Sequence, residues 1–122
     1  MPYIQVRSEI LMRDTIPKRF LEMMAGRFAT LADPTRLEII HCLMKGGEQN
    51  VTQIVEATGH PHPNVSKHLR HLRDAKLVAR RKEGLQVYYK LDDPLVEKLC
   101  KLVCESLLAD FESDAGSEER AE

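Results

Sequence analysis

The stretch Asn64-Val-Ser-Lys-His-Leu-Arg-His-Leu-Arg-Asp74, continued by Ala75-Lys-Leu-Val-Ala-Arg-Arg-Lys-Glu-Gly-Leu-Gln-Val-Tyr-Tyr-Lys-Leu91, determines the architecture. Val65, Leu69 and Leu72 recur at the three-and-four spacing of a helix with one buried stripe. Ser66, Lys67, His68, Arg70, His71 and Arg73 fill the intervals, so the opposite face is polar and largely basic. From Leu77-Val78 the pattern changes to period two, breaks at Glu83-Gly84 and resumes through Val87-Tyr88-Tyr89. That is a two-stranded hairpin with a glycine at its turn. A basic helix followed at once by a basic hairpin is the order of a winged helix-turn-helix, mainly α with a small β-hairpin. Between Asn64 and Lys90, eight Lys or Arg stand against Asp74 and Glu83, a local net of +6 in a chain whose total is −1. The positive charge is concentrated where it can neutralise the phosphates of a nucleic acid.

At 122 residues the chain has room for one domain. The expected division is an N-terminal arm over 1–15, a DNA-binding and dimerisation domain over 16–112, and an acidic, disordered tail over 113–122. No apolar run approaches the roughly 20 residues needed to span a bilayer, and Met1 to Glu9 lacks the pattern of a signal peptide. A cytoplasmic location without a membrane partner is expected. Three cysteines without framework spacing point to reduced thiols. With only 5% aromatic residues and no Trp, stacking on unpaired bases is poorly provided for, so the expected partner is duplex. The chain has no Gly-rich phosphate loop, no Cys-x-x-Cys pair and no nucleophile–base–orienter set, which argues against an enzyme. A winged helix used as a protein-interaction module is the competing class; it would not need the basic helix.

Taken in order, Phe20, Met24, Phe28 and Leu31 form one helical stripe after Pro17. Asp33-Pro34 ends that helix and caps the next, which runs to Gly46-Gly47. Asn50 and Gln53 have the spacing of a capping box, opening a short helix closed by Gly59. Pro61 and Pro63 fit only at or before the first turn of the basic helix. Asp93-Pro94 repeats the cap-plus-proline start, and a final helix is expected to about Phe111. Its apolar band, from Leu95 to Phe111, is wider than one small domain can cover, so an identical helix from a second copy is the simplest partner. From Glu105 on, seven acids oppose Arg120 alone, a net of −6.

These pieces together resemble the ArsR/SmtB family of dimeric winged-helix repressors over roughly residues 17 to 108. The matching segments are Leu31-Ala-Asp-Pro-Thr-Arg-Leu-Glu-Ile39, Val65-Ser-Lys-His-Leu69 with Leu72 and Leu77-Val78, Arg81-Lys-Glu-Gly84, and Val87-Tyr-Tyr89. The resemblance implies a homodimer joined through the first and last helices, on a two-fold-related double-stranded DNA operator, released by an inducer. It implies that the Asn64-to-Asp74 helix enters the major groove and that the Arg81-to-Gln86 turn is the wing. Asn64, Ser66, Lys67, His68 and His71 carry over as groove and phosphate contacts; Arg70 and Arg73 add phosphate contacts, and Arg81 and Lys82 belong to the wing. For His68 the alternative is a structural hydrogen bond at the helix surface.

The family's inducer sites are less well matched. Asn50 to Val55 contains no cysteine, which removes its Cys-x-Cys arsenic site. Of the zinc-type site on the last helix only Asp93 aligns, and it is better explained as a cap. Cys100 and Cys104 remain, four apart and so on one helix face, where two pairs could approach across a dimer axis. A soft metal or metalloid ion is therefore the one cofactor candidate. Oxidation of the pair and plain core packing are the other two readings, and a regulator without any metal sensor stays open. Cys42 beside His41 matches the family's redox arrangement poorly.

Overall fold

A computed structural model describes residues 15–121, with side chains described through residue 114; all but the last residue of the expected arm over 1–15 lies outside them. Helix α1 (Lys18–Leu31) begins behind Pro17, whose carbonyl accepts from the Phe20 and Leu21 amides. Helix α2 (Pro34–Gly46) has Asp33 at its cap, the side chain accepting from the Arg36 amide at 2.9 Å, with Pro34 in the first turn where no amide is needed. Strand β1 (Gln49–Asn50) follows, and helix α3 (Val51–Thr58) opens on the reciprocal Asn50–Gln53 capping box and closes on Gly59 in the left-handed conformation.

Helix α4 (His62–Asp74) starts two residues before the expected Asn64, because Pro61 and Pro63 flank its first turn, where proline's missing amide costs nothing. Strands β2 (Val78–Glu83) and β3 (Gln86–Leu91) form the expected hairpin around Gly84, φ 61°. The sheet has three strands rather than two: β1 pairs antiparallel with β3, Gln49 opposite Tyr89 and Asn50 opposite Tyr88, giving the order β1-β3-β2. Helix α5 (Pro94–Ala121) runs past the expected end at Phe111, so residues 113–121 are helical where a disordered tail was expected. That segment has no proline, and its single glycine, Gly116, does not stop the helix.

The core gathers buried residues from the five helices and β2: Leu31 of α1, Ile39, Ile40 and Leu43 of α2, Ile54 of α3, Val65, Leu69 and Leu72 of α4, Val78 of β2 and Val96 of α5, with Leu77 between α4 and β2. Helix α4 ends in a tight reversal in which Lys76 takes φ 64° and the Leu77 amide donates to the Leu72 carbonyl at 2.9 Å. A left-handed residue followed by that six-to-one bond is a Schellman-type stop, a position that favours glycine. Lysine there costs about 1–2 kcal/mol of backbone strain, offset in part by the greater unfolded-chain entropy of glycine, about 0.5–1 kcal/mol. Lys76→Gly is therefore predicted to raise the urea midpoint, by about 0.5–1 kcal/mol in stability. A lower midpoint would contradict this account of the turn.

Candidate nucleic-acid interface

Helix α4 is fixed in rotation by its apolar stripe. Val65, Leu69 and Leu72 are fully buried, each 0% exposed. At 3.6 residues per turn, that puts Lys67 at the middle of the outward face with Asn64, Arg70 and His71 around it, all exposed. Ser66, His68 and Arg73 are half-buried on the two flanks. The Ser66 hydroxyl lies 3.4 Å from the His62 ring. Seven sequence-predicted residues of α4 thus form one surface, with Lys67 and Arg70 its most accessible cations.

The two histidines facing α2 differ from the lysine and arginines. Arg36 reaches across the α1–α2 junction: its Nε donates to the Thr30 carbonyl at 2.6 Å and its Nη2 to the Ala29 carbonyl at 3.4 Å. Its Nη1 lies 3.4 Å from the His71 ring and 3.9 Å from Asp33. One guanidinium therefore caps the end of α1, braces the start of α2 and touches α4. Burial holds the His68 imidazole below its ordinary value, reinforced by the charges of Arg36, Lys67 and His71 and only partly opposed by Asp33. The lowered value favours the neutral imidazole, which offers hydrogen bonds rather than charge.

In the hairpin the structure separates two neighbours that the sequence placed together. The turn is the pair Gly84–Leu85, narrower than the expected Arg81-to-Gln86 wing. Lys82 is exposed and opposite Val87. Arg81 is engaged: its Nη2 donates to Glu48 Oε1 at 2.7 Å and its Nη1 to Glu83 Oε2 at 2.9 Å, and the guanidinium stacks 4.9 Å from the Tyr88 ring centre. The bond to Arg81 holds the Glu48 carboxyl below its ordinary range. Arg80, absent from the candidate set, is exposed and shares a strand face with Lys82; the period-two alternation already implied that pairing. Arg36 and Glu48 left no comparable signal: Arg36 binds two backbone carbonyls, which carry no sequence pattern, and its contact with His71 and that of Glu48 with Arg81 span 35 and 33 residues.

Cys100 and Cys104 lie on the same side of α5, along an apolar groove of about 660 Å³ between α1, α2 and α5, with Phe28, Ile40, Met44 and Leu99 in its walls. Cys100 is half-buried and Cys104 exposed. Burial raises the Cys100 thiol, which lowers its thiolate fraction. Among the described residues no three His, Cys, Asp or Glu side chains are grouped to hold a metal ion, so within one chain the two thiols lack a third donor.

On the acid side, the pH dependence of stability follows from Asp33, Glu48 and His68. The Arg36 backbone amide, and then the Arg36 charge, hold the Asp33 carboxyl below its ordinary 3.8. For a depressed carboxylate, stability is present above the unfolded value and is lost as pH falls through the folded one. A depressed histidine likewise makes the unfolded chain the better proton acceptor below its ordinary 6.5. Stability is predicted to fall on acidification in two stages, beginning below about pH 6.5 and again below about pH 4. His68→Gln should flatten the upper stage in urea titrations at pH 7.5 and 5.5; an unchanged difference between those pH values would exclude His68 as its source.

Residues 33–80, from the α2 cap into β2, match the family model described as the arsR family of bacterial regulatory proteins. The transcriptional repressor PagR of Bacillus anthracis is 40% identical over 83 residues, covering 68% of this chain and 83% of that protein. Its crystal structure superposes with a TM-score of 0.64, covering 71% of this chain and 99% of that one. The arsenical resistance operon repressor of Escherichia coli is 35% identical over 79 residues, 65% of this chain and 68% of that protein. The solution structure of a homodimeric winged helix-turn-helix DNA-binding domain from Mycobacterium bovis gives a TM-score of 0.65 at 32% identity, over 81% of this chain and 91% of that one. These relatives are regulators rather than enzymes, and among the described residues no helix is long and apolar enough to cross a membrane. The order of elements, the basic helix, the hairpin and the relatives agree: the chain belongs to the ArsR family of bacterial regulatory proteins.

Proposed function

We propose that this regulator is a homodimeric repressor that sets α4 of each copy into the major groove of a two-fold-related duplex operator, with the hairpins on flanking phosphates. The observation that carries the reading is the outward face of α4, where Asn64, Lys67, Arg70 and His71 are exposed together over a fully buried stripe. Ser66, His68 and Arg73 extend that face, and Lys82 adds an exposed cation on the hairpin. The dimer is supported by apolar side chains that one chain leaves uncovered: Met23 and Phe28 on α1, and Leu102, Leu107 and Phe111 on α5, the last 73% exposed. A second copy covering this surface brings two α4 helices to half-sites about one helical turn apart, or a multiple of it.

Lys67→Ala and Arg70→Ala are each predicted to weaken binding to a selected duplex by about tenfold. Because a dimer presents each residue twice, the slope of log affinity against log salt should fall by about 1.8 for every phosphate that each chain no longer neutralises. A slope identical to the parent protein's in both variants would show that α4 does not face the phosphates.

Cys100 and Cys104 are proposed as the point where a soft metal or metalloid acts on the dimer. Their shared face and the metalloid-related name of one relative support this, since two copies bring four thiols to the interface helices. The burial of Cys100 against the core favours packing instead. Replacing both by serine decides between them: loss of release by arsenite with DNA affinity retained supports the sensor, and intact release assigns the thiols to packing. Coupling of this type is typically 5- to 150-fold in affinity, roughly.

A further inference from the structure

We propose that Arg81 positions the wing rather than contacting DNA: its guanidinium straps the hairpin to the loop before β1, and wing contacts with phosphate fall to Arg80 and Lys82. The inference rests on the reading that α4 and the hairpin together face the duplex.

The geometry is that of a strap. Arg81 stands on β2, its cross-strand partner Tyr88 is on the central strand β3, and Tyr88 is in turn opposite Asn50 of β1. The side chain crosses Tyr88, with its ring centre 4.9 Å from the guanidinium, and ends on Glu48 beyond the third strand. Its contact with Glu48 is two-pronged, Nη2 at 2.7 Å and Nε at 3.3 Å to both carboxylate oxygens, and Glu83 takes the remaining edge at 2.9 Å. The planar fork suits that arrangement, and stacking on an aromatic face adds to it.

Charge points the same way. Lys90, on the same face of the sheet, also bears on Glu48, so Arg81 and Lys90 with Glu48 and Glu83 sum to zero, and this patch offers phosphate no net charge although it lies beside the basic segment. Alternation along β2 puts Arg80 and Lys82 on the other face, and neither appears among the ion pairs of the described residues. From Arg81 to Gln86 the hairpin is exposed, and Leu85 at its tip is 98% exposed. Core packing through Val78, Tyr89 and Leu91 anchors only the base. The Arg81–Glu48 tie sits where that anchoring ends, so it sets the angle at which the tip leaves the body.

The test measures affinity for a selected duplex from about 50 to 300 mM salt, using the full chain and single variants. Phosphate contacts contribute to the salt slope and struts do not. Arg81→Gln and Glu48→Ala are each expected to weaken binding about three- to fivefold with the slope unchanged, whereas Lys82→Gln should lower the slope by about 1.8. Arg81→Lys keeps the charge but loses the fork, so it should behave like Arg81→Gln. The proposal is overturned if Arg81→Gln lowers the slope as Lys82→Gln does, if Arg81→Lys restores binding, or if Glu48→Ala, by freeing a cation, tightens it. Glu48→Ala carries the test even if Arg81 variants fold poorly, as thermal midpoints would reveal. If Lys67→Ala and Lys82→Gln both leave the slope untouched, the docking reading fails and the strap's role in DNA binding fails with it.

Discussion

The burial of Val65, Leu69 and Leu72 is what holds the site in place. A helix with one buried stripe has one allowed rotation, and a turn of one residue's worth would bury Arg70 and Arg73 in one direction or Asn64 and His71 in the other, and expose the stripe. Either is expensive: a fully buried aliphatic side chain is worth about 1.5–3 kcal/mol, and an unpaired buried charge costs several. Leu77 and Val78 extend the same constraint into the hairpin, because their burial fixes which face of β2 looks inward. The basic surface is thus presented by the core, not by the basic residues themselves.

Around that helix the backbone ends are tied off locally. Asp33, the Asn50–Gln53 box, Gly59 and the reversal at Lys76 each satisfy a helix terminus and fix where the next element starts. Arg36 joins three of these elements by holding the Ala29 and Thr30 carbonyls while touching His71. The face formed by α1 and α5 therefore connects through one side chain to the helix with the candidate DNA contacts. Any change in how two copies pack has a short physical route to α4.

Much of this was legible in the sequence because it is local. The stripes of α1 and α4, the caps at Asp33 and Asn50, the proline placement and the hairpin all depend on residues within about one or two turns of each other. What was not legible is long-range. Strand β1 is only two residues, and its pairing with Tyr88 and Tyr89 carries no periodic signal. Arg81 is 33 residues from Glu48, so the sequence shows a wing cation where the structure shows a satisfied one. His68 looks like a surface residue until Asp33 and Arg36 are folded against it. The final helix ends later than expected because its end has no stop residue to read.

Whether the outward face of α4 is the docking surface is best decided by an amide-resolved NMR titration of the labelled protein with a duplex selected from random sequence. The largest shifts are predicted at Asn64, Lys67, Arg70 and His71, with smaller ones at Arg80 and Lys82 and little change at Leu102 to Phe111. Largest shifts along α5, with the α4 amides unmoved, would contradict that assignment.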